Sequence, residues 1–445
     1  MSTPFKLVFA AVVVLASVGA SWYVFNSPHE PAVAPPLPIP MPEPKPTVAP
    51  KNTISVSTDS SPSVSADGSI PANASALRYR APKDRGDDMQ MFDKAVLYLM
   101  DVQDPDGHID SARTGAAPEF QNLNNDIALT SIAAWVMMGS SSAQNQNPEA
   151  VARARKAVRW LESKTQPDGT IGDVNGPGEA VLAQLFACDA FRMAVSYSTR
   201  ESLRAETSRL NSVALRKMSA ANGGYGSKAN SAEPRADMIA LASFVFKFAG
   251  YDGFKFDSVD TTKKPASKAA FPIEDEILDN LRAGMKRLES APVFAEKAGG
   301  PSDWRSTVCG MQAAFMINPS KTTVTPALEF VFGPFDKATE SYPRVLQHVA
   351  WGKSGEGYDA LALWQGSIAV VYMFTEDKYE SKTWMGNVRS IFRTHQAPDG
   401  SWPVAGEDGK RGRAWRTGLH AMTLALIAPP PPPAAPPADD TPPAK

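Results

Sequence analysis

Between about residue 86 and residue 428 the chain alternates two kinds of apolar pattern. The first is amphipathic. In AVLYLMDVQDPDGHID (95–110), AVRWLESKTQPDGTIGD (157–173) and NVRSIFRTHQAPDGSWP (387–403) apolar residues recur at helical spacing, and charges such as Lys156, Arg159 and Glu162 take the other side. Each run reaches a Gln and then Pro-Asp-Gly, which stops a helix and reverses the chain. Weaker copies run over 213–227, 281–304 and 345–359, where Gly pairs or Gly-x-Gly replace Asp-Gly. The second pattern follows every copy and is apolar nearly all round: DIALTSIAAWVMMG, EAVLAQLFACDAFRMA, DMIALASFVFKFAG, STVCGMQAAFMIN, DALALWQGSIAVVYMF and TGLHAMTLALIA. A helix without a polar face must be buried, so the pattern predicts six hairpins, each with an outer and an inner helix. Six such hairpins close most simply into an all-α, (α/α)6 toroid; a solenoid of the same hairpins is the alternative.

The ends of the 445-residue chain follow neither pattern. Leu7 to Phe25 carries no charge and, as a helix, reaches roughly 28 Å, close to a bilayer core. Lys6 precedes it and the next Lys is Lys45, which predicts a single-pass anchor over residues 1–26 with the rest of the chain outside the cytoplasm. Val18-Gly19-Ala20 fits a cleavage site, so secretion after signal removal is the alternative. Residues 27–85 are Pro-rich and then Ser-rich and predict a disordered linker, and 429–445 a disordered Pro-rich tail, leaving 86–428 for the toroid. The balance of 45 basic against 47 acidic residues gives no basic footprint for nucleic acid. The two cysteines, Cys188 and Cys309, lie in apolar runs and read as buried thiols rather than as a disulfide or a metal site.

With Gln103 and Gly107, Gln166 and Gly169, and Gln396, Gly400 and Trp402 at their spacings, the chain resembles the terpenoid cyclase and protein prenyltransferase superfamily, in its repeats of Gln-Trp type. The resemblance covers roughly Met91 to Ala428. It implies that the Gln amide binds free backbone groups at helix ends and that the Trp braces the turn, a structural clasp rather than a catalytic device. The chemistry of that family depends on motifs this chain lacks. Class II cyclases protonate an alkene with an Asp-x-Asp-Asp motif, and the nearest string here, Asp84-Arg-Gly-Asp87-Asp88, has another spacing. Prenyltransferases bind zinc through an Asp-x-Cys pair and a distant His. Cys309 and His420 fall in predicted inner helices, but Cys309 is not two residues after an Asp, so neither metal nor cofactor is expected. No nucleophile motif surrounds His108, His348 or His395.

Candidate chemistry is therefore sought where the inner helices begin, because parallel inner helices bring their first turns to one rim. Asp126, Glu179, Asp237 and Asp359 open four of them, as favourable helix-terminal acids or as a site. Arg305 and Arg416, in the matching strings Asp303-Trp304-Arg305-Ser306 and Ala414-Trp415-Arg416-Thr417, oppose the helix dipole and call for compensation by the rim acids or by an anionic ligand. Trp304 and Trp415, with Trp364, Tyr225 and Tyr358, are aromatic candidates for the same mouth. The expectation is a membrane-anchored, extracytoplasmic toroid that binds a small-molecule, glycan or protein partner. A polysaccharide-active hydrolase or lyase using rim carboxylates is the second reading, and an atypical isoprenoid cyclase the third.

Overall fold

The computed structural model describes residues 86–139, 147–197, 202–249, 275–290, 293–317, 321–348, 359–374, 378–404 and 407–427. The anchor, the linker, the Pro-rich tail and Tyr358 lie outside them. No helix of the described residues is long and apolar enough to cross a membrane.

Thirteen α-helices carry the described chain. They are α1 (Asp87–Val102), α2 (Leu123–Gly139), α3 (Pro148–Lys164), α4 (Ala180–Tyr197), α5 (Ser202–Lys217), α6 (Ala236–Ala249), α7 (Asp275–Leu288), α8 (Trp304–Ile317), α9 (Lys321–Phe332), α10 (Pro343–His348), α11 (Ala360–Met373), α12 (Tyr379–His395) and α13 (Arg413–Ile427). The uniformly apolar segments become α2, α4, α6, α8, α11 and α13. Each packs on the next, and α13 packs back on α2, so the inner ring is closed. The amphipathic helices lie outside it: α3 packs against α2 and α4, α7 against α6 and α8, and α12 against α11, α13 and α1. Ring closure selects the toroid over the solenoid.

The turns show how neighbouring hairpins are locked. Gly107, Gly169 and Gly400 have φ of 108°, 86° and 89°, and a Cβ at each would sit 2.4 Å from Lys156 C, 2.1 Å from Leu210 O and 2.1 Å from Lys94 O. Each turn thus lies against the backbone of the next outer helix, and the last lies against the first. Only Gly fits both the left-handed conformation and the approach. The Gln clasp follows the same order. Gln103 Nε2 donates to Gly107 O at 2.7 Å and to Arg153 O of α3 at 3.1 Å, and Gln396 Nε2 donates to Gly400 O at 2.9 Å and to Met91 O of α1 at 2.8 Å. Trp402 is fully buried, donates from Nε1 to Phe392 O and packs on Phe392 and His420.

Three expectations need correction. Gln166 is exposed, and Gly169 O is instead held by Gln184 Nε2 at 3.1 Å and Asn211 Nδ2 at 3.0 Å, because the amide that reaches this turn comes from the inner helix and the next outer helix. The fourth hairpin does not turn directly after α7: Glu289–Ser290 and Val293–Phe294 form a short antiparallel ribbon in which Glu289 pairs Phe294 and Ser290 pairs Val293. In the fifth, the outer position is taken by α9, which contains Pro326, and by the six-residue α10; of the predicted segment 345–359, residues 349–358 lie outside the described set.

Candidate functional site

The inner helices begin at one rim of the ring, and their lead-in residues build an alternating chain of charge there. Arg411 pairs with Glu179, and Glu179 also pairs with Arg235. Arg235 forks onto Asp237, with Nη2–Oδ2 at 2.6 Å and Nε–Oδ1 at 3.1 Å. Arg305 then bridges Asp237 at 3.4 Å and Asp359 at 3.0 Å. The order is therefore Arg411, Glu179, Arg235, Asp237, Arg305, Asp359, with the more exposed Glu296 also 4.0 Å from Arg235. Most of it is buried: the side chains of Glu179, Arg235 and Arg411 are 13–15% exposed and that of Asp237 5%, whereas Arg305 is 34% exposed at the open end.

The helix termini explain why these groups gather. Asp359 caps α11, its Oδ1 accepting the Ala362 N–H at 2.7 Å, and Asp237 Oδ1 accepts the Met238 N–H at 2.9 Å, so both carboxylates satisfy free amide groups at a positive dipole end. An Arg at such an end is opposed by the dipole, and each one here is offset by two carboxylates or, for Arg411, by Glu179 and two rings. The Arg411 guanidinium lies 4.7 Å from the Phe120 centroid and 4.8 Å from that of Trp415.

This pairing fixes the protonation states. Burial pushes the Glu179 carboxyl upward, but Arg411 and Arg235 outweigh it and hold the group below its ordinary value. Burial likewise opposes ionisation of Asp237, and Arg235 and Arg305 outweigh it in the same direction. Arg235 and Arg305 are in turn held firmly protonated, Arg305 chiefly by Asp359.

Below the rim aromatic side chains cross the axis of the ring. Phe186 of α4 meets Trp364 of α11 at 6.2 Å and the edge of Trp415 of α13 at 5.6 Å, and Phe244 of α6 meets Trp364 at 5.4 Å. Since α4 and α11 stand opposite each other in the ring, these contacts cross the axis. Gln365 reaches across as well, its Nε2 donating to Asp237 O at 2.9 Å. Beside the charge network a cleft of about 190 Å³, much of it open to solvent, lies among Phe120, Asn122, Asn124, Asn125, Glu179 and Arg411.

Of the residues singled out from sequence, Glu179, Asp237, Arg305, Asp359 and Trp415 come together at this mouth. Asp126 does not join them. Its Oδ1 accepts the Ser111 N–H at 2.8 Å, so it braces the α1–α2 connection, where burial raises its carboxyl above the ordinary value against that hydrogen bond. Arg416 is not at the rim: it is fully buried and donates from Nη1 to Pro403 O at 2.8 Å. The matching strings mislead because α8 starts at Trp304 and α13 at Arg413, so Arg305 is the second residue of its helix and Arg416 the fourth. Two positions at about 100° each turn the side chain to the opposite face. Trp304 also points outward, stacked between His348 and Trp384 and donating to Val331 O. Tyr225 is buried against Phe246.

The positions of the other titratable groups fit structural roles. His108 stacks on Trp160 beside Asp106, and His420 is buried against Phe392 and Trp402, where burial and then Arg416 hold it neutral. Cys188 and Cys309 are buried free thiols pushed upward by burial. Asp87 and Asp88 pair with Arg393 and Arg389, tying α1 to α12. Among the described residues no cluster of His, Cys, Asp and Glu is disposed to hold a metal ion. The network residues missed from sequence are Arg235 and Arg411, which lie in the lead-ins just before α6 and α13; for Arg235 the signal was a cation next to the first-turn acid, in Arg235-Ala236-Asp237, whereas α13 has no first-turn acid to mark Arg411.

No protein-family model matches the chain, and no curated protein matches it. Among solved structures it is similar to the type II terpene cyclase MstE from Scytonema, with 12% identity over 77% of this chain and 98% of that one and a TM-score of 0.46. It is also similar to a possible member of the GH105 family from Salmonella enterica subsp. enterica serovar Paratyphi A, with 10% identity over 80% and 98% and a TM-score of 0.45. A protein from Actinoplanes stands at 14% identity over 77% and 98%, with a TM-score of 0.41. The class of the protein, an all-helical α/α toroid, rests on its own closed ring of inner helices.

Proposed function

We propose that the protein is a membrane-tethered, extracytoplasmic binding protein, whose toroid mouth holds a ligand without transforming it. The observation that carries this reading is the state of the rim carboxyls. A general acid must keep its proton near working pH, and glycoside hydrolysis needs one such group beside a second carboxylate. Glu179 and Asp237 are instead each held ionised between two guanidinium groups, which also blunts them as bases or nucleophiles. Asp126, the rim candidate whose carboxyl is raised, is engaged with the Ser111 backbone outside the network. Cyclisation of an isoprenoid needs an apolar chamber on the order of several hundred Å³, and the aromatic contacts across the axis occupy the place where one would lie. The uncharged Leu7–Phe25 segment supports the tether, and the Pro- and Ser-rich residues 27–85 support a domain held away from the membrane.

The test is turnover by the full chain in detergent, offered geranylgeranyl diphosphate, 4-nitrophenyl glycosides and purified envelope polysaccharide. The expected rates equal those of buffer for both the wild type and Asp359→Asn, a substitution that keeps a capping side chain on α11 while removing the charge facing Arg305. A turnover that the wild type has and Asp359→Asn lacks would overturn the reading.

A further inference from the structure

Within the cleft, Asn125 stands apart from its neighbours. Asn124 is used up structurally: its Nδ2 donates to Asp173 O and Pro177 O, and its Oδ1 accepts the Asp173 N–H. Asn122 donates to Glu119 O and accepts the Asn125 N–H. Asn125 is only 4% exposed, yet neither its Nδ2 nor its Oδ1 has a hydrogen-bond partner, and its side chain lines the cleft with Glu179 and Arg411. A buried carboxamide left unpaired costs about 1–3 kcal/mol for each group it strands, so folding alone gives no reason to keep it there.

We infer that this cleft is a subsite for an uncharged, hydroxyl-bearing ligand, the end of a neutral saccharide, with Asn125 as its principal hydrogen-bonding side chain. The inference rests on the binding reading above and names the ligand class for the same mouth. Three features point to that class. The charged groups at the cleft are already paired with one another, so an anion would compete with Glu179 for Arg411 and a cation would compete with Arg411 and Arg235 for Glu179. A neutral ligand disturbs neither pair. The shape is the second feature: the cleft is small and much of it opens to solvent, which suits the end of a larger ligand. A hydroxyl both donates and accepts, matching the Oδ1 and Nδ2 of Asn125, and a second can donate to the Glu179 carboxylate, which its two Arg partners keep ionised. The lining supplies the third: Phe120 is half-buried, giving apolar surface for the C–H face of a sugar ring.

The test is titration of the full chain in detergent, by calorimetry and saturation-transfer NMR, with maltotetraose, laminaritetraose and chitotetraose. N-acetylalaninamide and acetate serve as an amide and an anion for comparison. At least one tetrasaccharide is expected to bind, and Asn125→Leu is expected to weaken it 10-fold or more while leaving the melting temperature unchanged or higher, because the substitution removes stranded polar atoms without creating new ones. Asn125→Ala gives the same readout if the larger side chain disturbs folding, and Phe120→Ala is expected to weaken binding several-fold. Saccharide binding that Asn125→Leu and Asn125→Ala leave intact overturns the inference, as does Asn125-dependent binding of the amide or acetate in place of the saccharides, or binding by none of the probes. Those failures are distinct from failure of the binding reading, which would show as turnover in the preceding assay.

Discussion

Replacing Arg235 with methionine is expected to destabilise the domain by about 3–5 kcal/mol, the range for removing one partner of a buried ion pair. The size follows from what is left behind. Arg235 is the central cation of the rim, joined to both Glu179 and Asp237, and its loss leaves Glu179 with Arg411 alone and Asp237 with Arg305 alone in a site that excludes most water. Arg235→Lys should cost less, since it keeps the charge and loses the planar fork that engages both oxygens of Asp237. The pH dependence distinguishes an ion-pair origin from a packing defect. In the wild type the two carboxyls are depressed, so their stabilisation is fully present above their unfolded values, near pH 4, and is lost as pH falls through the lower folded values. In Arg235→Met a principal cause of the depression is gone and burial works the other way, so mild acid should recover part of the loss. Urea denaturation between pH 4 and pH 7 reads both effects; a variant whose deficit is the same at both ends would contradict the electrostatic account.

Gly400→Ala is the second large effect, on the order of 3 kcal/mol, and it tests closure of the ring rather than its mouth. Two costs combine at this residue. Its φ of 89° lies in the region that an L side chain avoids, and an added Cβ would stand 2.1 Å from Lys94 O, so α12 and α1 must separate at the seam between the last hairpin and the first. Gly115 provides the comparison, with φ of 79° and no atom within 4 Å of its notional Cβ. Gly115→Ala should therefore cost only about 1 kcal/mol, the conformational part alone. Equal losses in the two variants, measured by urea midpoint, would mean that the seam contributes nothing beyond the turn.

These two sites differ in how far the sequence reveals them. The Gly400 turn is legible because a repeated local rule writes it: an amphipathic run, a Gln, then Pro-Asp-Gly, with an apolar run after it. That rule fails where another group meets the same need, as at Gly169, whose carbonyl is held by Gln184 and Asn211 from two other helices. It also fails at α9, where the β-branched stretch Thr322 to Thr325 and Pro326 hide a helix that tertiary packing against α8 stabilises. The rim is only half legible. Carboxylates opening inner helices mark Glu179, Asp237 and Asp359, but Arg235 and Arg411 sit in lead-ins whose direction is set by packing. Arg305 and Arg416 share a sequence string and end on opposite faces, because where a helix starts decides which way the string points. Asn125 carries no signal in sequence at all; it emerges only when the partners of its neighbours are traced.

The claim on which the functional reading turns is that Glu179 and Asp237 at the mouth are held as carboxylates by their Arg partners. Side-chain carboxyl titration of Glu179 and Asp237 by ¹³C NMR on the full chain tests this most directly. The account predicts that both titrate below the ordinary values of their side-chain types, because their Arg partners outweigh the effect of burial. If either retained a proton near pH 6, the rim would hold a usable general acid, and the mouth would have to be read as a catalytic site instead of a binding one.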